Sequence, residues 1–316
     1  MRLNKETFVL LRIVIAAIIS ITVITQIADA APQLQTSPIS HITDITAEKA
    51  GGLALPSDVV VVDNRIYIVD GGNHRVAVFD NRWKYLFSFG RQGSANDCFN
   101  GPVGIGADKK GNIYVADRGN HRIQVFDHDG KYLRSINVAL GGKPVRPVDV
   151  AVTPDGNTLF VTGNNSHSVL VFNRNGQLLQ NWGGSGSENG DFRYPAIIVL
   201  TANKKVAVVD ILNTRVQIFE QNGEFVNSIG EWGVLSGQFV RPKGVVVDKD
   251  GRYFVSDSYM DLVQVFDDAG RFLYILGENG KPLTMTSPAG MAIDDSGRLY
   301  VAEMLENKVS VFALGR

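Results

Sequence analysis

Cysteine is almost absent. Cys98 stands alone in 316 residues, so no disulfide can form within the chain and stability has to come from packing. An excess of charge of either sign is lacking too. Lys and Arg number 31 against 32 Asp and Glu, a net charge of −1, which leaves no general electrostatic footprint for nucleic acid. No haem attachment run is present, so any redox role would belong to a partner. The Gly-rich stretches carry no lysine in a phosphate-loop frame, which speaks against nucleotide binding. What is there is a globular composition, 44% apolar and 20% charged, enough to build a sizeable core.

Only the N-terminus has a long apolar run. Arg2, Lys5 and Arg12 form a positive region, Ile13–Ile24 is apolar and uncharged, and Ala28-Asp29-Ala30 offers small residues where a signal peptidase reads. The run is short for a spanning helix of about 20 residues. We read residues 1–30 as an export signal, with a retained membrane anchor as the alternative, and residues 31–38 as a short tether. Cleavage after Ala30 would leave 28 basic and 30 acidic residues. Export points to a periplasmic or extracellular location.

The rest of the chain repeats one unit. The stretch Gly111–Asp127, GNIYVADRGNHRIQVFD, is its fullest copy. The phenylalanines that close the second of its two strands, Phe79, Phe126, Phe172, Phe219, Phe266 and Phe312, stand 46 or 47 residues apart. Pro56, Pro102, Pro147, Pro195, Pro242 and Pro288 keep the same beat. A strand-rich period of 40–50 residues is the mark of a propeller blade. Each unit divides into four short strands joined by hairpin chemistry such as Asp129-Gly130 and Asn222-Gly223. The sixth unit lacks its fourth strand. Ile39–Ile45 stands in that register and is expected to pair with Val309–Phe312, closing the ring and hiding its edges. The prediction is all-β: a six-bladed β-propeller over residues 39–316, four antiparallel strands per blade, with an N-terminal strand completing the last blade and no room for a second domain.

The motif Ile113-Tyr114-Val115-Ala116-Asp117 followed by Asn120-His121-Arg122-Ile123-Gln124-Val125-Phe126-Asp127 resembles an NHL repeat. Similar copies run over Tyr67–Phe79 and Val208–Phe219, whereas blades 5 and 6 lose the Asn-His-Arg triplet. The resemblance implies a six-bladed propeller and much less about activity, because this fold hosts binding modules and some enzymes. Among the enzymes it brings in are lactonases with an axial divalent ion and lyases that cleave amidated peptide precursors. Both use a compact axial set of acid, Asn or His ligands, and the axial register here offers no histidine.

Three groups of residues compete for a chemical role. Asp70/Arg75, Asp117/Arg122 and Asp210/Arg215 recur at one spacing, which fits bracing of turns better than catalysis, since a catalytic site needs one special place. His74, His121 and His167 share a register, but equivalent positions in successive blades are too far apart to share a zinc ion. The second position after each proline reads Asp58, Gly104, Asp149, Ile197, Gly244, Gly290. Asp58 and Asp149 at the mouth of the channel are the candidate metal ligands, for calcium if any; no other cofactor is expected. No Ser/His/Asp-type pairing stands out, so no catalytic residue is assigned.

The blades disagree most in the turn after the second strand. Blades 1–3 are polar there, with Gly71-Gly72, Arg118-Gly119 and Asn164-Asn165. Blades 4–6 place Ile211, Leu212, Tyr259, Met260, Leu262, Met304 and Leu305 in and beside the same turns, and Trp232 stands in the loop Gly230–Phe239. A contiguous exposed apolar patch marks a partner, and Met and aromatic side chains favour interface cores. The expectation is an exported, non-catalytic binding or assembly scaffold that docks a protein through this face. The rival expectation is a metal-dependent lyase or lactonase-type hydrolase at the channel mouth. Recognition of RNA conflicts with the export signal and the near-neutral charge.

Overall fold

A computed structural model describes residues 34–315; the expected export signal and the start of the tether lie outside them. Apart from single 3₁₀ turns, the regular structure of the described residues is strand. Six four-stranded antiparallel sheets follow one another around a ring. Blade 1 comprises Pro56–Val62, Arg65–Asp70, Arg75–Asp80 and Tyr85–Phe89; blade 2 comprises Pro102–Ala107, Ile113–Asp117, Arg122–Phe126 and Tyr132–Asn137. Blades 3, 4 and 5 repeat this from Pro147, Pro195 and Pro242. Blade 6 takes Pro288–Ile293, Arg298–Glu303 and Lys308–Leu314 and receives Ile39–Ile45 as its outer strand. Ile45 pairs with Val309 and His41 with Phe312, so the ring closes as the repeat register predicts.

Three features depart from the plain repeat, one of them the two-residue strand Lys281–Pro282, which pairs with the end of blade 5's fourth strand. Thr36–Ser37, in the segment read as a tether, add a short parallel strand to blade 5 against Ile275 and Leu276. Blade 2 is followed by a small hairpin, Ala139–Leu140 with Lys143–Pro144.

Each interface between neighbouring blades holds one apolar cluster. Between blades 1 and 2, for example, Tyr67, Val69, Val76 and Val78 pack on Phe99, Ile105, Ile113, Val115 and Phe126. Every sheet is thus buried on both faces, which explains why the second strands read as unbroken apolar runs such as Ile113–Ala116. Phe99, Phe192 and Phe239, at the ends of the long loops between blades, are fully buried. They lie where a Cβ would stand on Gly90, Gly183 and Gly230, so only glycine lets these loops fold down.

In five of the six blades a buried carboxylate at the end of the second strand ties that strand to the backbone just ahead of the blade's first strand. Asp117 Oδ1 accepts the Asn100 N–H (2.7 Å), while Oδ2 accepts from Asn120 Nδ2 (2.8 Å) and Arg122 Nε (2.8 Å). Asp70 accepts from Ala54, Asn73 and Arg75 in the same way, and Asp210 from Arg193, Asn213 and Arg215. The recurrent Asp/Arg pairs are therefore braces. Blade 5 keeps the acid but not the arginine: Asp257 accepts the N–H groups of Val240, Arg241, Tyr259 and Met260 instead. Blade 6 substitutes Glu303, which accepts from the Thr286 N–H and Ser310 Oγ. Blade 3 has Gly163 at this place and bridges with Asn165 Oδ1, which accepts the Arg146 N–H (2.7 Å).

Removing one partner of a buried, hydrogen-bonded ion pair costs about 3–5 kcal/mol because the other charge is left uncompensated. Asp117→Ala is expected to lower the urea midpoint accordingly. Asp129→Ala, which removes the pair of Asp129 with Arg65 at the surface, should barely move it. Equal shifts in the two midpoints would contradict the bracing role.

Candidate functional site

The three histidines act as latches between blades. His74, His121 and His167 all adopt φ between 51° and 55°, as the left-handed residue that ends each turn. The Gly101 N–H donates to His74 Nδ1 (3.1 Å) and the Tyr194 N–H to His167 Nδ1 (3.3 Å), while His121 Nδ1 lies 3.2 Å from the Val145 carbonyl. Asp261 and Asn307 do the same work in blades 5 and 6, accepting the N–H groups of Ser287 and Leu55. In each case a turn grips the residue just before or near the next blade's opening proline.

Asp58 and Asp149 are not hydrated acids at an open mouth. They are 4% and 2% exposed, because Gly104 and Gly290 leave the space a Cβ would fill and the carboxylates occupy it. Asp58 Oδ1 and Oδ2 accept the N–H groups of Val59 (2.9 Å) and Ile105 (3.0 Å), and Asp149 Oδ2 accepts that of Ile198 (2.9 Å). The pair borders a cavity of about 250 Å³ walled mainly by Val, Ile and Ala of the inner strands. Burial pushes both carboxyls up, Asp149 to about 7, and the charge of Asp149 pushes Asp58 further. Asp149 Oδ1 is buried without a hydrogen-bond partner among the described residues, which favours the protonated form of this carboxyl. As a calcium site the pair falls short. Three of its four oxygens already accept backbone N–H groups, whereas calcium takes six to eight oxygen ligands, and no group of three acidic, His or Cys side chains gathers for a metal among the described residues.

The turn face is where exposed apolar side chains collect. Among the described residues, five large exposed apolar side chains (Ile42, Leu86, Leu133, Leu179, Val226) lie on outer strands. The other eight lie at the end of the ring that carries the turns: Leu55, Tyr194, Leu212, Trp232, Val234, Leu235, Tyr259 and Leu305. Leu212, Tyr259 and Leu305 are 59%, 65% and 65% exposed, and Trp232 is 75% exposed. Ile211, Met260 and Met304 are half-buried, Ile211 against the blade 4–5 cluster and Met304 against the blade 6–1 cluster. Leu262 does not belong to the face. Asp261 ends the turn, so Leu262 opens the third strand in the register held by Arg122 in blade 2, and it is 7% exposed.

Sequence reasoning missed part of this surface. Tyr194 and Leu55 precede prolines and adopt φ of 61° and 51°, a backbone region costly for bulky residues. Val234 and Leu235 share the loop of Trp232. The same loop in blades 2 and 4 has Gln92, Ser94 and Ala95, or Ser185, Ser187 and Glu188, at the equivalent places. Comparing the three loops, whose backbones bridge alike at Gln92–Phe99, Ser185–Phe192 and Trp232–Phe239, is the signal that would have found them.

The NHL repeat family model matches residues 53–79, 99–126 and 239–266, the first three strands or fewer of blades 1, 2 and 5. The chain carries NHL repeats on a six-bladed propeller. No curated protein matches this NHL propeller significantly. Solved structures share its fold at low identity. A streptogramin B lyase aligns over 81% of this chain and 78% of its own at 16% identity, TM-score 0.58. A catalytically inactive virginiamycin B lyase from Staphylococcus aureus, solved with quinupristin, aligns over 90% and 97% at 13% identity, TM-score 0.61. A gluconolactonase-like protein aligns over 90% and 97% at 15% identity, TM-score 0.64. At such identities the likeness speaks for the fold.

The acid pair gives the NHL propeller a pH signature. Both folded carboxyls titrate above the ordinary carboxylate range, so the stability they lend is full in acid and is lost as pH rises through about 7 for Asp149. Asp149→Asn should flatten this decline and raise the melting temperature at pH 8 by a few degrees, on the order of 1 kcal/mol or more. Differential scanning calorimetry of both proteins from pH 5 to 8 checks it; parallel curves would contradict the raised carboxyl of Asp149.

Proposed function

We propose that this propeller is an exported, non-catalytic scaffold that docks a protein partner through the turn face of blades 4–6. The observation that carries the reading is the gathering of exposed apolar side chains on that face, on turns whose backbones bond to the chain ahead of the opening proline, as Leu212 N–H does to Arg193 O and Met304 N–H to Ser287 O, or in blade 5 to buried Asp257. A rigid turn presents Leu212, Tyr259 or Leu305 at little entropic cost on binding, as preorganised surfaces do. Monomeric proteins seldom leave such a patch without a use. The acid pair supports the same reading from the other side, since Asp58 and Asp149 are occupied with backbone N–H groups. The export signal read from residues 1–30 supports a partner in the cell envelope or outside the cell.

The lyase or lactonase alternative draws on fold likeness and on no constellation of side chains in the channel, so its chemistry is not carried over.

A photo-crosslinking residue at Tyr259 or Leu305 in the full chain, expressed in its native cells, is expected to give one reproducible protein adduct. The same residue at Leu133 or Leu179 on the outer strands should give none of it. Identical adduct patterns from face and rim, or no adduct from the face, would overturn the reading.

A further inference from the structure

The mouth of the channel on the turn face has a charge pattern of its own. Consider in each blade the two residues before the opening proline, the one after it, and the first two residues of the turn. Across six blades these positions hold Arg118, Arg146, Arg193, Arg241 and Lys243, and no acid. Most acids of this layer, such as Asp210 and Asp257, are buried beneath the turns and already engaged, and the exposed one, Glu306, stands at the third place of the blade 6 turn. Glu188 and Glu231 stand on the longer outer loops. None of the five cations forms an ion pair among the described residues.

Lys243 is the most telling of them. It is half-buried, and among the described residues its ammonium has one neighbour to donate to, the thioether sulfur of Met304 at 3.6 Å. A thioether is a weak acceptor, so a half-buried ammonium is left short of partners, a costly arrangement that an incoming anion would relieve. Burial and the nearby Arg241 both lower the pKa of Lys243. The apolar turns of Leu212, Tyr259 and Leu305 flank this spot in blades 4, 5 and 6.

We propose that Lys243 and Arg241 receive a carboxylate of an acidic peptide segment whose apolar side chains lie on Leu212, Tyr259 and Leu305. The proposal rests on the reading of this face as a protein-docking surface and names the chemistry of what docks. A charge-assisted hydrogen bond to a half-buried ammonium gives orientation, and the aromatic and aliphatic turns give contact area. A peptide can lower a single carboxylate to Lys243 beside Met304, whereas a flat bilayer meets the exposed turn tips first. Nucleic acid would bring a run of phosphates and call for a broadly positive surface, whereas the net charge of the chain is −1.

Selection of a random peptide display library on the purified full chain tests this. Enriched peptides are expected to combine acidic residues with apolar ones. The binding of a selected peptide, measured by fluorescence anisotropy, should fall at least tenfold in Lys243→Met and in Arg241→Gln and weaken steadily with added NaCl. Melting curves establish that both variants are folded. Enrichment of neutral or basic peptides whose binding is lost in Leu212→Asp but not in Lys243→Met would overturn the carboxylate and leave the docking face standing. No enrichment would overturn both. Tighter binding to anionic phospholipid vesicles, or to a 20-residue oligouridine, than to any selected peptide would overturn the peptide in favour of a membrane or RNA.

Discussion

The buried acid at the end of the second strand is the interaction on which the propeller depends. In five of six blades it joins the end of the strand to the backbone two residues before the opening proline, and in blades 1, 2, 4 and 5 it also ties the turn beyond. A proline at that point has no N–H to give to the neighbouring strand, so the acid supplies the missing tie through the residue ahead of it. Next to it, in every blade but the fourth, the left-handed residue at the end of the turn reaches to the following blade, as His74 does to Gly101. Together the acid sets the turn within a blade and the cap sets one blade against the next. The apolar clusters between blades then fill the space that these polar ties define.

This division of labour separates scaffold from function. Residues that brace cannot vary freely, so their repetition in blades 1, 2 and 4 marks structure. The tips of the same turns carry no structural duty and can vary, and there the chain places Leu212, Tyr259 and Leu305. Blade 5 shows the trade most clearly. Leu262 replaces the bracing arginine and is buried, and Asp257 compensates by accepting two N–H groups of its own turn, which holds Tyr259 outward on a fixed backbone. At the axis, two acids that would invite a metal reading accept backbone N–H groups instead, and four of the five cations at the mouth face solvent while Lys243 is half-buried.

The number of blades, the closing strand and the Asp/Arg braces were legible because each is a local pattern repeated in register. Phe126 and Pro102 need only be counted. The pairing of Asp58 with Asp149 was not legible, since it joins blades 1 and 3 across the axis and depends on Gly104 and Gly290 leaving room. Leu262 was misplaced on the surface because the loss of the Asn-His-Arg triplet hid where the turn ends; the φ of Asp261 locates it. Tyr194 and the mouth cations escaped notice because attention fell on the turn after the acid, while half of the mouth is built by residues beside the prolines, far away in sequence.

The central claim is that the turn face is a rigid surface held from beneath by buried carboxylates. Hydrogen–deuterium exchange of the full chain tests it most directly. The account predicts that the amides of Asn100, Arg193, Val240 and Thr286, which lie in loops but donate to those carboxylates, exchange as slowly as strand amides, and that Asp210→Asn speeds the Arg193 amide while sparing the others. Exchange of all four at the rate of free loops would contradict it.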